Sequence, residues 1–290
     1  MNESTTATVK KKRQAMAMMV LVALLWSSGG ILIKLIHWNP LFIAGSRSLV
    51  SAVVITIMMK VDNTPLKINR HSIGAGIGLA VCLLFFVTAN KFTTAANAIV
   101  LQYSAPIFIL IISGLFKKKP LRMGELLAVT GTMIGMILFF MDQLSIGNIL
   151  GNVFGIIAGI GFATMFTFVG LGGKDDSVRM SGILLAHLLT AIIGMPSAFI
   201  TGVTFSTQEV LCALILGIFQ LGIPYVLYGK ASRYASPLAC SMLGMLEPLL
   251  NPVWVAIFIH ELPGKFALLG SAIIITVVTL WCVSEARASE

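Results

Sequence analysis

Long apolar runs separated by short polar connections repeat along the whole chain. Crossing a hydrocarbon core of about 30 Å takes about 20 helical residues. Ten runs meet that length, at approximately 15–35, 40–59, 72–91, 97–116, 122–140, 147–170, 180–201, 208–231, 236–258 and 264–283. The connections are too short to hold a soluble domain. The first run is long enough to span and lacks an obvious cleavage site, so it reads as a helix and not as a removable leader. In the ninth run, Cys240, Gly244, Glu247, Asn251 and Trp254 recur at steps of four, three, four and three, which places them on one helical face. That face is small or polar in its middle, whereas the others carry Leu, Met and Val. It is expected to meet protein or water, not lipid.

Composition agrees with the pattern. The 290 residues are 57% hydrophobic and 11% charged, with mean hydropathy +0.96; soluble domains carry about 25% charged residues. The predicted class is an all-α integral membrane protein. The net charge of +9 would permit a nucleic-acid partner, but its distribution argues against one. With the N-terminus in the cytoplasm and ten alternating spans, 16 of the 20 Lys and Arg fall inside, Lys91 and Lys265 fall outside, and Lys34 and Arg47 lie within spans. This is the positive-inside bias of a multi-pass protein of the cytoplasmic (inner) membrane with both termini cytoplasmic. No basic domain studded with aromatic residues exists to bind nucleic acid. Cys82, Cys212, Cys240 and Cys282 all fall inside spans and read as small packing residues. No metal site or cofactor is expected.

The chain also repeats internally. A shift of 142 positions pairs Lys91 with Arg233, Phe92 with Tyr234, Thr94 with Ser236, Pro106 with Pro248 and Phe116 with Phe258. Two units of five spans follow, 15–140 and 147–283, flanked by a basic N-terminus at 1–14 and a tail at 284–290. Five is odd, so the second unit enters the membrane from the opposite side, and the fold is predicted as two inverted five-helix repeats. Inverted repeats recur in transporters, where interrupted helices at matching positions mark a site near the midplane. Pro106 and Pro248 interrupt spans four and nine at corresponding points, and Pro252 follows one turn later. A proline inside a helix removes a hydrogen bond and clashes with the preceding turn, so all three are candidate hinges.

The ninth span, "SPLACSMLGMLEPLLNPVWVAIFIHELP" (236–263), together with "RSLVSAVV" (47–54) and "ALLWSSGG" (23–30), resembles the EamA-like transporters of the drug/metabolite transporter superfamily. The shared features are a small-residue start, a central Glu-Pro and a glutamate just past the span. Where the family often has Gly-Glu, this chain has His260 and Glu261. The resemblance implies ten helices and transport of a metabolite, commonly export. It does not imply a substrate, since members carry very different ones.

Ionisable residues within spans cost roughly 2.5–3.5 kcal/mol each to insert and so point to function. Glu247 is the leading candidate, either binding a cationic group, exchanging protons or capping backbone freed by Pro248. Arg47 could hold a substrate carboxylate or serve as a charge partner within the membrane. His187 could relay protons or be a buried structural histidine, and Lys34 is expected to snorkel to the interface beside His37 and Trp38. Around them, Trp26, Phe86, Gln102, Tyr103, Gln220, Tyr225, Tyr228, Glu247 and Asn251 describe a small-molecule site with aromatic walls and a few polar groups. Such a site would be lined chiefly by spans 1, 3, 4, 6, 8 and 9. Glycines at 147, 151, 155 and 159, and at 131 and 135, allow close helix approach.

The expected function is a secondary transporter moving an amino acid or related metabolite outward by alternating access, with protons as candidate coupling ion. Exchange of substrates, or import of a nucleotide-like or cationic metabolite, is the alternative. The lipid bilayer is the other partner, and the chain is compatible with a monomer or a homodimer. An enzyme is disfavoured: "HELP" (260–263) lacks the second histidine of a zinc-protease motif, and no Gly-x-Ser-x-Gly elbow occurs. A channel is disfavoured because neither a charge ring nor a carbonyl filter is apparent.

Overall fold

Helix starts in this chain are set by short polar side chains. Asn69 accepts hydrogen bonds from the His71 and Ser72 amides, and Ser72 returns one from the Asn69 amide. Ser206 and Glu209 make the same reciprocal box. Asn39 caps a helix whose first residue is Pro40. These groups satisfy amide donors that a helix leaves free at its start.

The protein is described here from a computed structural model covering residues 3–117, 122–144, 148–203, 205–259 and 264–287. The side chains of Lys34, Asn251 and Pro252, and the whole of His260 and Glu261, lie outside the described residues. The helices are α1 (Glu3–Ser27), α2 (Gly29–Lys34), α3 (Pro40–Val61), α4 (Arg70–Phe92), α5 (Ala95–Gln102), α6 (Ala105–Lys117), α7 (Met123–Phe139), α8 (Ile149–Leu171), α9 (Asp176–Gly194), α10 (Ser197–Thr201) and α11 (Thr207–Ile215). A π-helical segment, Leu216–Gly222, leads into α12 (Ile223–Ala231), followed by α13 (Pro237–Gly244), α14 (Leu246–Ile259) and α15 (Lys265–Arg287).

Among the described residues, seven helical stretches are long and apolar enough to cross a membrane: Pro40–Val61, Arg70–Asn90, Ala95–Gly114, Ile149–Leu171, Asp176–Ile200, Thr207–Ala231 and Lys265–Glu285. Met123–Phe139 and Pro237–Leu250 are apolar but shorter. The basic segment expected to precede the first span is helical from Glu3, within α1, which runs unbroken to Ser27.

Two helical breaks correspond closely. α5 and α13 are each eight residues long, begin after a hydroxyl cap (Thr94 and Ser236) and end 142 residues apart, at Gln102 and Gly244. Each is followed by a turn, and Pro106 or Pro248 sits four residues beyond the last helical carbonyl. The proline has no N–H for that carbonyl and its ring crowds it, so the helix breaks there.

α8 is the central post. Gly151 packs against the backbone of Phe92 and Thr93, and Gly155 against Leu101. A β-carbon on Gly159 would lie 2.6 Å from the Leu101 carbonyl oxygen, so only glycine lets α8 approach the break between α5 and α6. α4 lies against α8 and α9, α3 against α9 and the π-helical segment, and α1 against α12, α13 and α14. α7 packs chiefly on α15.

Ion pairs gather at the end of the bundle that carries Lys10–Arg13. Asp62, just past α3, pairs with Lys230 at 2.7 Å, and Lys67 pairs with Asp175 at 2.7 Å. Asp176 accepts from Arg233 at 3.1 Å and from Arg179. Arg179 was counted as a loop charge in the sequence pattern. It is instead fully buried, donating to the Gly229 and Gly173 carbonyls and so stitching α9 to α12. At the opposite end, Glu209 accepts from the His37 amide at 3.0 Å beside a cluster of Trp38, Phe42 and Phe205.

Candidate functional site

The polar side chains inside the bundle bond across it. At the break after α5, the Tyr103 hydroxyl donates to Glu247 Oε2 at 2.5 Å. The α3 residue Arg47 donates from Nη1 to Gln220 Oε1 at 3.3 Å. Gln220 in turn donates from Nε2 to the Trp26 carbonyl at 3.4 Å. Trp254 Nε1 donates to Ser27 Oγ at 2.8 Å. Every one of these bonds joins a residue before position 141 to one after 149. Arg47 is also within electrostatic range of Glu247 and Tyr225.

Local structure explains these positions. Glu247 is the second residue of α14, directly after the break, so its side chain projects from a helix start towards the loosened turn at Tyr103. Gln220 lies in the π-helical segment. Pro224 cannot donate to the Gln220 carbonyl four residues earlier, and Gly217 and Gly222 press against Val50 and Val54 of α3. A β-carbon on Gly222 would sit 2.8 Å from Val54 Cβ. The wider π turn therefore lies at the closest contact with α3, where Arg47 meets Gln220. π bulges are frequent at functional sites.

Aromatic rings fill the space between the polar bridges. Tyr225 lies 5.2 Å from Trp26 and 4.9 Å from His187. Phe162 lies 6.1 Å from Trp26, 6.2 Å from Tyr103 and 4.6 Å from Phe166, which meets Tyr228 edge-on at 5.3 Å. Trp26, Tyr103, Tyr225 and Tyr228 are buried, while Gln102 and Glu247 are half-buried. Of the rings expected to wall an open cavity, Trp26, Tyr225 and Tyr228 thus touch in series, and Tyr103 joins them through Phe162.

Among the described residues, several buried polar atoms here have no hydrogen-bond partner: Trp26 Nε1, Arg47 Nε and both ring nitrogens of His187. Trp26 Nε1 and Arg47 Nε can only donate. Leaving such a group unsatisfied costs about 1–3 kcal/mol. Three side chains from α1, α3 and α9 thus present unmet hydrogen-bonding capacity around Tyr225.

The structure therefore brings together Trp26, Arg47, Tyr103, His187, Gln220, Tyr225, Tyr228 and Glu247. Gln102 donates to Cys82 Sγ at 3.4 Å, and Cys82 is within electrostatic range of Tyr103, Tyr225 and Glu247. Phe86, expected opposite Tyr228, is only half-buried and has no recorded ring contact in this cluster among the described residues. Pro106 and Pro248 are buried beside the two breaks. Asn251 and Pro252 cannot be placed, for the reason given above. Sequence reasoning missed Phe162 and Phe166. Their signal was available: they lie four residues apart, on a helix whose glycines face the α5–α6 break.

The chain matches the EamA-like transporter family over residues 13–141 and again over 149–282. It belongs to that family. This EamA-like chain is also similar to two proteins of Archaeoglobus fulgidus, each described as an uncharacterized transporter. One is 24% identical over 212 residues, covering 73% of this chain and 76% of the relative. The other is 25% identical over 210 residues, covering 70% and 72%. A solved crystal structure superposes with TM-score 0.80 at 16% identity, over 96% of this chain and 99% of that one, which shows the shared fold. The family and its apolar helices make this a multi-pass membrane transporter.

Proposed function

We propose that this EamA-like chain is a secondary active transporter that moves a small metabolite, an amino acid or related compound, out of the cell by alternating access. The observation that carries the reading is the Tyr103–Glu247 bond, a half-buried carboxylate bridged across the bundle at the two matched helix breaks. A carboxylate at such a junction can take a proton or a substrate amine, and either event changes what holds the breaks together. On the Arg47 side, donors without partners are suited to a substrate carboxylate. The reading includes ten crossings in two inverted halves. It is supported by the double family match and by the 142-residue correspondence of α5 with α13. The basic end, with Lys10–Arg13, faces the cytoplasm of the inner membrane in this reading.

Counterflow in proteoliposomes tests it, with Glu247→Gln and Glu247→Asp measured across pH beside the parent protein. Gln keeps the shape but cannot titrate, so it should lose most gradient-driven transport. Asp should keep part of it with an altered pH profile. Near-normal, pH-responsive transport by the Gln variant would remove Glu247 as the coupling residue and transfer that role to His187. Absence of saturable counterflow for any amino acid would refute the substrate class.

A further inference from the structure

Two cavities open at the basic end of the bundle, sharing Arg233 and Tyr234 in their walls. The first, of about 360 Å³, carries Lys11, Lys230 and Arg233 but also Asp62 and Asp176. Four of these five charges are paired, Lys230 with Asp62 and Arg233 with Asp176. The second, of about 340 Å³, is different. Lys12 of α1, Lys174 of the α8–α9 turn and Arg233 face it, against one carboxylate in the wall, Glu285; with Arg233 paired to Asp176, Lys12 and Lys174 less Glu285 leave an excess of +1 among the described residues. Lys174 is exposed, on a turn that Gly173 makes with positive φ.

Two other features of this second cavity suit an anion with an apolar tail. Its wall includes Ser236 and Pro237, the start of the eight-residue α13, whose positive dipole end favours negative charge, although Pro237 has no N–H and the Ala239 amide is already bonded to Ser236 Oγ. Its apolar lining comes from Met16, Pro237 and Ala239. The cavity lies among the basic half of α1, the turn after α8, the start of α13 and the last turn of α15. Basic pockets between helix ends in this setting hold phosphate headgroups.

We propose that the Lys12–Lys174–Arg233 cavity binds a phosphate group, presented by an anionic phospholipid. A soluble phosphate ester offers the same group without the acyl chains. The site lies apart from Tyr103 and Glu247, and it does not depend on the transport reading.

Native mass spectrometry of the full-length protein tests it, titrated with phosphatidylglycerol, phosphatidylcholine or glycerol phosphate. Phosphatidylglycerol should be retained in preference to phosphatidylcholine. Each basic residue near such a surface contributes about fivefold in affinity, so Lys12→Gln with Lys174→Gln should weaken phosphatidylglycerol binding about 25-fold. A control pair on the same end but outside the cavity, Lys10→Gln with Lys60→Gln, should leave it within about twofold. Glycerol phosphate binding that matches phosphatidylglycerol and falls in the Lys12/Lys174 pair would support the phosphate site while making the acyl chains dispensable. Equal retention of the two lipids, or equal losses in the two variant pairs, would overturn the proposal.

Discussion

At the basic end, two ion pairs join the part of the chain before residue 141 to the part after 149: Asp62–Lys230 and Lys67–Asp175, each at 2.7 Å. Opening of this end should require both to separate. Their side chains are 36–57% exposed, so water and salt weaken them. Exposed pairs contribute about 0.2–1 kcal/mol each. Removing both with Asp62→Asn and Asp175→Asn should therefore shift the closed–open balance by about 1 kcal/mol, or about fivefold. Met180 offers the readout, because it is buried, lines the cavity beneath these pairs and presses against Gly229. In a Met180→Cys protein lacking its four native cysteines, maleimide labelling should speed up about fivefold in the double Asn variant. Raising salt should give part of the same increase without mutation. Mild acid should leave the Lys67–Asp175 pair in place: the Lys67 hydrogen bond holds the Asp175 carboxyl below its ordinary range. A depressed carboxyl contributes its stability above its unfolded pKa, about 3.9. It loses that stability only as pH falls through the lower folded value. Labelling rates indifferent to both salt and the Asn substitutions would show that these pairs do not hold the end closed.

Two further outcomes are expected. Pro106→Ala and Pro248→Ala each restore a possible helix hydrogen bond at a break, so each should slow transport while raising or preserving the melting temperature; unchanged transport in both and in the double variant would reduce the prolines to packing kinks. Gly159→Ala places a β-carbon 2.6 Å from the Leu101 carbonyl oxygen and should destabilise the protein by about 1–3 kcal/mol, read as a lowered melting temperature in detergent, with no change meaning that α8 can move aside.

The breaks were legible because proline acts locally. Pro106 and Pro248 each deprive a carbonyl four residues back of its donor, and the helices end at those carbonyls, Gln102 and Gly244. The face containing Gly244, Glu247 and Trp254 was legible for a similar reason. Periodicity marks a face that cannot meet lipid, and Glu247 and Trp254 do bond to protein. What periodicity does not carry is the identity of a partner. Tyr103 corresponds by the repeat to Met245, not to Glu247, so the shift could not pair them. The π-helical segment was half hidden: Pro224 acts locally on the Gln220 carbonyl, but the close contact of Gly217 and Gly222 with α3 belongs to the tertiary structure. The aspartates of the basic end passed unnoticed under a rule that counts Lys and Arg. Yet Asp62, Asp175 and Asp176 sit in short connections on a face otherwise rich in cations, where ion pairs are the natural outcome.

The pairing of α7 with α15 has a consequence for how the chain is built. Gly135 and Gly270 bring these two helices together so closely that a β-carbon on Gly135 would lie 2.7 Å from Ile274. Phe139 ends α7, and Lys265 begins α15 about 125 residues later. At ribosomal rates of roughly 5–20 residues per second, α7 waits about 6–25 s before its main partner is synthesised. During that interval its glycine face must rest against lipid or a chaperone. The fold therefore closes last at its C-terminal helix. A chain stopped before residue 265 strands a helix some 125 residues upstream of the cut, and α15 supplied as a separate fragment has a defined place to dock.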